Sequence, residues 1–355
     1  MTERTTAYIP TGWDGVVDVT ESDGWRQPWR LPPRRLATAF SPELTEHAVV
    51  PTGVRIGVVT DAPELSLSLR STPVWTPRPR AVDVFVNGEL SQSLPVGVGA
   101  EELIARLPGE RSEVQLWLPH RGAITQVGPI SVAASATLEP APATGPRWIT
   151  YGSSITQCLV TASPSETWPA RIARRYGWRL LNLGFAAQAY LDPFVARTIA
   201  SRPADLISVE LGPNLYIRGP FTERSLGGLA AGFLETIRDA HPDVPVVVFS
   251  PPVWVEREHE PNPHELTLSG VRELVENVVR VLQGLGDNNL HLVPGDELFG
   301  AADAGLTIDG LHPDAAGDAL LAERFGPRLA AVLAGSAVQV SAGGPAGRPA
   351  SEPVR

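Results

Sequence analysis

The run Arg147-Trp148-Ile149-Thr150-Tyr151, broken by Gly152-Ser153-Ser154-Ile155-Thr156, decides the fold of this chain. It is a strand-like segment that ends in a glycine turn carrying a serine. Beyond it, strands and helices alternate. Candidate strands cover 147–152, 179–184, 205–212, 245–250 and 290–294. Candidate helices cover 165–176, 192–201, 222–240, 265–284 and 314–333. That alternation predicts a parallel sheet with helices on both faces. Ligands on such sheets bind beyond the carboxyl ends of the strands, which is where Ser154 stands.

Upstream the texture is different. Leu65-Ser66-Leu67-Ser68-Leu69-Arg70 alternates with period two, as a half-buried strand does. Val54–Val59 and Val114–Leu118 read the same way, and Ala81–Val86 runs into Asn87-Gly88, a strong hairpin signal. Helical periodicity is nearly absent, so residues 1–140 are expected to form an all-β sandwich or jelly roll. Residues 141–146 lie in a Pro/Ala-rich linker, and 147–334 form the α/β domain. The Gly/Pro/Ala/Ser-rich segment 335–355 is expected to be a disordered tail.

At 355 residues the chain is long for a single core, which agrees with two domains. Hydrophobic residues make up 43% and charged residues 19%, the mix of an ordinary globular protein. All 29 basic residues are arginines; with 35 Pro and 33 Gly, this reads as the coding bias of a GC-rich bacterial genome. The net charge of -10 argues against nucleic acid or an anionic membrane as partner. A polar N-terminus and the lack of a long apolar run point to a cytoplasmic protein. One cysteine, Cys158, rules out an intrachain disulfide and reads as a small buried hydrophobe. The histidines show no metal-ligand spacing, and no glycine loop is built for phosphate, so no cofactor or metal is expected.

Late in the chain stands Ile308-Asp309-Gly310-Leu311-His312-Pro313. A serine needs a base to take its proton, and a histidine needs a carboxylate to fix its tautomer. Ser154, His312 and Asp309 supply all three parts. Pro313 suits the first position of a helix, so Asp309 to His312 must form an irregular turn in which the carboxylate folds back on the imidazole. Taken singly, Gly-Ser-Ser, Asp-Gly and His-Pro are common connectors. Their order, with each at a strand end or loop start, makes the catalytic reading the stronger one. Between them lie Asn182-Leu183-Gly184-Phe185-Ala186-Ala187 and Gly212-Pro213-Asn214.

These four segments, in this order, resemble the sequence blocks of the SGNH hydrolases, also called GDSL-type esterases. The resemblance implies a three-layer, flavodoxin-like α/β domain and a serine esterase acting on small acyl esters. It implies Ser154 as nucleophile, with oxyanion donors from the Ser154 N–H, a backbone N–H in the second block and the Asn214 side chain. Two departures stand out. The second block usually reads Asn-x-x-x-x-Gly, and here Ala187 holds the glycine position. Alanine keeps the N–H but tolerates fewer backbone angles. The first block reads Gly-Ser-Ser where Gly-Asp-Ser is usual. The β region resembles the jelly-roll domain of a bacterial subgroup that includes carbohydrate esterases and a natural-product acyltransferase. Its loop Pro119-His120-Arg121-Gly122 is the candidate for approach to the active site.

Tyr216 and Trp254 are candidate wall residues for an aromatic or glycosylated acyl ester, the latter in a long loop over 253–264. The same machinery can pass the acyl group to an alcohol in place of water, provided the site excludes water. A non-catalytic carbohydrate-binding protein is the reading from another class. The complete Ser, His, Asp and Asn set argues against it.

Overall fold

The computed structural model describes residues 4–8, 12–74 and 78–342. Its first part is a sandwich of two antiparallel six-stranded sheets. One sheet runs Asp18–Ser22, Trp25–Trp29, Ala123–Ala133, Glu64–Pro73, Gly99–Arg106, and Arg4–Tyr8 also pairs with Ala123–Ala133. The other runs Leu138–Pro140, Arg55–Thr60, Ser112–Trp117, Ala81–Val86, Glu89–Pro95, with Trp13–Asp14 beside Arg55–Thr60. Alternation builds it: Ile56, Val58, Leu65, Leu67, Leu69, Val84, Val114 and Leu116 point inward and are buried together. Asn87 and Gly88 both take positive φ (50° and 88°), as a two-residue primed hairpin turn requires.

The expectation of an all-β region needs one correction. Between the sandwich strands the chain makes a 3-10 turn, Pro33–Ala39, and a short α-helix, Pro42–Ala48. Ser41 caps the helix by accepting from the Leu44 N–H, and Pro42 fits its first turn. This excursion leaves the sandwich. Leu31, Leu44 and Ala48 are buried with Phe185, Leu191, Phe194 and Val195 of the second domain, so the two parts share a core.

The second part is a five-stranded parallel sheet. Its spatial order is Arg179–Gly184, Arg147–Gly152, Leu206–Glu210, Val246–Phe249, Leu290–Val293. The strands carry apolar side chains on both faces because helices cover both. Ile149, Tyr151, Leu183, Ile207 and Val248 pack under the helices Pro193–Ala200, Glu223–Ala240 and Leu268–Gly284. Trp148, Leu180, Leu206, Val247 and Phe249 face Trp168–Tyr176 and the last helix, Ala315–Ala342. Strand order reverses between Arg147–Gly152 and Leu206–Glu210, which opens a crevice at their carboxyl ends. The last helix continues past Gly335, so the expected disordered tail begins as helix; residues 343–355 lie outside the described residues.

Candidate active site

The strand Arg147–Gly152 delivers the chain to the crevice, and the single helical turn Ser154–Gln157 follows at once. Ser153 caps that turn, accepting from the Ile155 N–H. Ser154 is therefore its first residue, where an N–H has no carbonyl one turn back to bond. The Ser154 Oγ lies 2.8 Å from Nε2 of His312. The His312 Nδ1 lies 2.7 Å from Oδ2 of Asp309. Asp309 also accepts from the backbone N–H groups of His312 (2.8 Å) and Leu311 (3.1 Å), which closes the irregular turn that the spacing predicts. Burial alone would raise the Asp309 carboxyl. These N–H bonds and the imidazole outweigh it and hold the carboxyl below its ordinary range.

Pro313 is not the first helical residue. It precedes Asp314, whose carboxylate accepts from the Ala316 and Gly317 N–H groups and so caps the last helix. Gly310 sits at φ 80°, and a Cβ there would lie 3.0 Å from the Trp254 indole nitrogen and closer still to the Glu256 carboxylate. The loop 253–264 thus lies over the Asp309–His312 turn. Arg272 anchors it, pairing with Glu258 and donating to the carbonyls of Pro251 and Pro252.

The second block forms a turn at the end of Arg179–Gly184. In it Phe185 N–H donates to Gly152 O, Ala186 N–H to Gln157 Oε1, Gln188 N–H to Phe185 O, and Ala189 N–H to Asn214 Oδ1. Only the Ala187 N–H in that run makes no hydrogen bond within the described residues. Ala187 takes φ 55°, the left-handed region that glycine occupies freely. Asn214 is buried, and its oxygen on the Ala189 N–H leaves the amide NH2 for another partner. Gly184 is a packing glycine: a Cβ there would lie 2.5 Å from the Gln157 nitrogen. Asn182 ties the blocks together, donating to Thr156 O and accepting from the Gly184 N–H.

Tyr216 is buried. Its ring is in the core and its hydroxyl donates to the Glu260 carbonyl, so it braces the loop 253–264 from beneath. Trp254 is half-buried, on Gly310 and beside the Arg257 guanidinium. Cys158 is buried and burial pushes its thiol well up, the state of an inert packed cysteine. Among the described residues no group of three or more His, Cys, Asp or Glu is arranged to hold a metal ion.

Sequence reasoning missed several supports. Glu210 ends a fully buried strand and accepts from the Ser153 N–H and from the hydroxyls of Ser153 and Thr156. Gly152 and Gly212 make room for it, since a Cβ on either would touch its carboxylate. Burial raises its carboxyl, and those hydrogen bonds pull the other way. A lone acid closing the apolar run Leu206-Ile207-Ser208-Val209 was the available signal. Arg30, from the sandwich domain, is wholly buried and donates to the carbonyls of Val50, Asn182, Gly184 and His47. His47 bonds the same Gln157 oxygen that holds Ala186. The loop Pro119–Gly122 does reach the site's frame: His120 meets Cys158 O, and Arg121 donates to Leu159 O and Val160 O.

A strand-end serine bonded to a histidine that is itself held by an aspartate is the arrangement of serine hydrolases. Residues 146–330 match the GDSL-like lipase/acylhydrolase family, and the chain belongs to that family. Residues 11–125 match the family of the SsfX3 N-terminal domain. Among solved structures, the salicylyl-acyltransferase SsfX3 from a tetracycline biosynthetic pathway is 31% identical, with TM-score 0.85 over 93% of this chain and 97% of that one. A GDSL-like lipase fold from Bacteroides ovatus is 19% identical, with TM-score 0.74 over 91% and 95% of the two chains. A family two carbohydrate esterase from Clostridium thermocellum is 14% identical, with TM-score 0.63 over 80% and 95%. The last two are similar in fold alone. No curated protein matches the chain. The chain is an acyl esterase by family, and acyl transfer is also consistent with its similarity to the salicylyl-acyltransferase.

Proposed function

We propose that Ser154 carries the acyl group during ester cleavage, with His312 as its base and Asp309 as the residue that orients His312. The observation that carries this is the unbroken chain of hydrogen bonds from the Ser154 Oγ through His312 to Asp309. His312 Nε2 takes the Ser154 proton as Oγ attacks the ester carbonyl carbon. The carbonyl oxygen becomes an oxyanion, received by the N–H groups of Ser154 and Ala187 and by the Asn214 amide. The carbon–oxygen bond to the alcohol then breaks, and His312 returns the proton to the departing oxygen. A water or a second alcohol, deprotonated by His312, releases the acyl group from Ser154.

Hydrolysis of a small acyl ester is the first reading. Transfer to an alcohol is the second, favoured by the 31% identity to a salicylyl-acyltransferase across both domains. An aromatic acyl group and a natural-product or sugar alcohol are the substrate classes to try. The test is incubation with p-nitrophenyl esters of acetate, butyrate and benzoate, with and without alcohol acceptors. Nitrophenol release that depends on Ser154 supports the reading, and the identity of the acyl product separates hydrolysis from transfer. No release from any ester, with the protein folded, would overturn it.

A further inference from the structure

A second feature adjoins the Ala187 turn. A cleft of about 340 Å³ lies between the two domains, with Ala186, Ala187 and Gln188 on one wall. Arg78, Arg121 and Arg218 also line it, against one carboxylate, Glu43. Burial holds the His47 imidazole down to about 3, so it is neutral and the lining carries a net charge of about +2. The chain as a whole has a net charge of -10, so this patch runs against the molecular average.

The cations are not spent on acids. Arg78 and Arg218 form no ion pair among the described residues. The Arg121 guanidinium is tied to carbonyls only, those of Pro79, Leu159 and Val160. Burial and the neighbouring Arg78 charge together bring it down to about 10, so it stays charged at neutral pH. The like charges of Arg78 and Arg121 repel, the single Glu43 carboxylate in the lining leaves an excess of positive charge, and an anion in the cleft would reverse that cost. Arg218 is also held at φ 66° on the short segment after Asn214, which fixes its backbone beside the cleft.

We propose that this cleft is the subsite for an anionic group, a carboxylate or a phosphate, on the non-reacting part of the ester or of the acceptor. This deepens the esterase reading and rests on it. The arginines would hold the anion through charge-assisted hydrogen bonds while the ester carbonyl reaches Ser154.

The test uses matched phenyl acetates with a para propanoate, propanamide or ethyl phosphate arm, and nitrophenyl esters of glutarate and its monoamide. These place the charge on the alcohol side or the acyl side and distinguish carboxylate from phosphate. At least one anionic ester is expected to exceed its neutral partner about tenfold in kcat/KM, with the advantage shrinking in high salt. The Arg78→Gln/Arg218→Gln double variant should reduce that ratio to near one; both residues are exposed, so the fold is not at stake. Equal rates for charged and neutral partners on both sides would overturn the subsite while leaving the esterase reading intact. If no ester turns over, calorimetric binding of the same pairs to Ser154→Ala decides the subsite: tighter binding of the charged member, lost in the arginine double variant, supports it. Equal or absent binding overturns it.

Discussion

Replacing Ser154 by alanine removes one oxygen and leaves every backbone bond of its turn in place. Ester turnover should fall by several orders of magnitude with an unchanged circular dichroism spectrum. His312→Ala should be as damaging. Asp309→Asn should cost less, because an asparagine oxygen can still accept from the His312 and Leu311 N–H groups and keep the turn. A loss from Asp309→Asn equal to that from His312→Ala would show that the carboxylate does more than orient. Asn214→Ala should cost about 2.7–4 kcal/mol of transition-state stabilisation, the usual worth of one oxyanion donor. Less than tenfold in kcat would argue against that assignment. Ala187 is a different case. Its left-handed conformation costs about 1–2 kcal/mol, whereas the freer unfolded chain of a glycine costs ~0.4–1 kcal/mol. Ala187→Gly should therefore hold or raise Tm and keep turnover. A fall in Tm would mean that the methyl group packs usefully. The sequence marks Ala187 as the odd residue of its block; only the backbone angle shows that the chain accepts the strain to keep its N–H free.

Between elements, Arg30 is the bridge to test. Arg30→Met fills much of the same space but takes the guanidinium donor from the carbonyls of Asn182 and Gly184, while Val50 O and His47 O keep the N–H groups of Thr52 and Val50. Unpaired buried carbonyls cost ~1–3 kcal/mol each, so the variant should unfold many degrees lower, or not fold. A Tm within two or three degrees of wild type, on the order of a 1 kcal/mol change or less, would show that water replaces the guanidinium. Every parallel strand and its helix was legible beforehand, because apolar runs, caps and Gly/Pro breaks agreed with one another. The helix Pro42–Ala48 was not. It has seven residues, too few to show a 3.6 period against the surrounding β texture, although Ser41-Pro42 was a start signal. The last helix runs beyond the boundary at 334 that composition suggests. Its alanines and serines read as low complexity, yet alanine is the strongest helix former and continues a helix already begun. The Ser154, His312 and Asp309 cluster was legible because those residue types carry chemistry wherever they occur. Glu210, Gln157 and Arg30 were not, since their roles depend on which loops meet.

At the scale of the molecule, Asp318 couples stability to pH. It is buried at the start of the last helix, and burial lifts its carboxyl to about 7, with Thr161 and Cys158 opposing the shift. The folded protein therefore binds a proton that the unfolded chain has lost once pH passes its ordinary carboxylate range. Stability from this group is greatest below that range and declines as pH rises towards about 7. Asp318→Asn should flatten the decline, raising Tm at pH 8 more than at pH 5 by roughly 2–4 kcal/mol of differential stability. Parallel Tm–pH curves for the two proteins would refute this. Truncation is the other whole-molecule test. Residues 141–342 alone would lack Leu31, Leu44, Ala48 and Arg30 and would expose Phe185 and Phe194. That fragment should aggregate or unfold, while the full chain melts in one cooperative transition.

The excursion between Leu31 and Ala48 has a consequence for descent. A front domain that merely sat beside its neighbour could be exchanged by recombination at the linker 141–146. Here the join runs through the segment Leu31–Ala48, far upstream of that linker and inside the sandwich's own strand order. A crossover at the obvious seam would separate Arg30 from the carbonyls of Asn182 and Gly184 that it was shaped to meet. Chimaeras cut at the linker should therefore fail unless residues 30–48 travel with the second half.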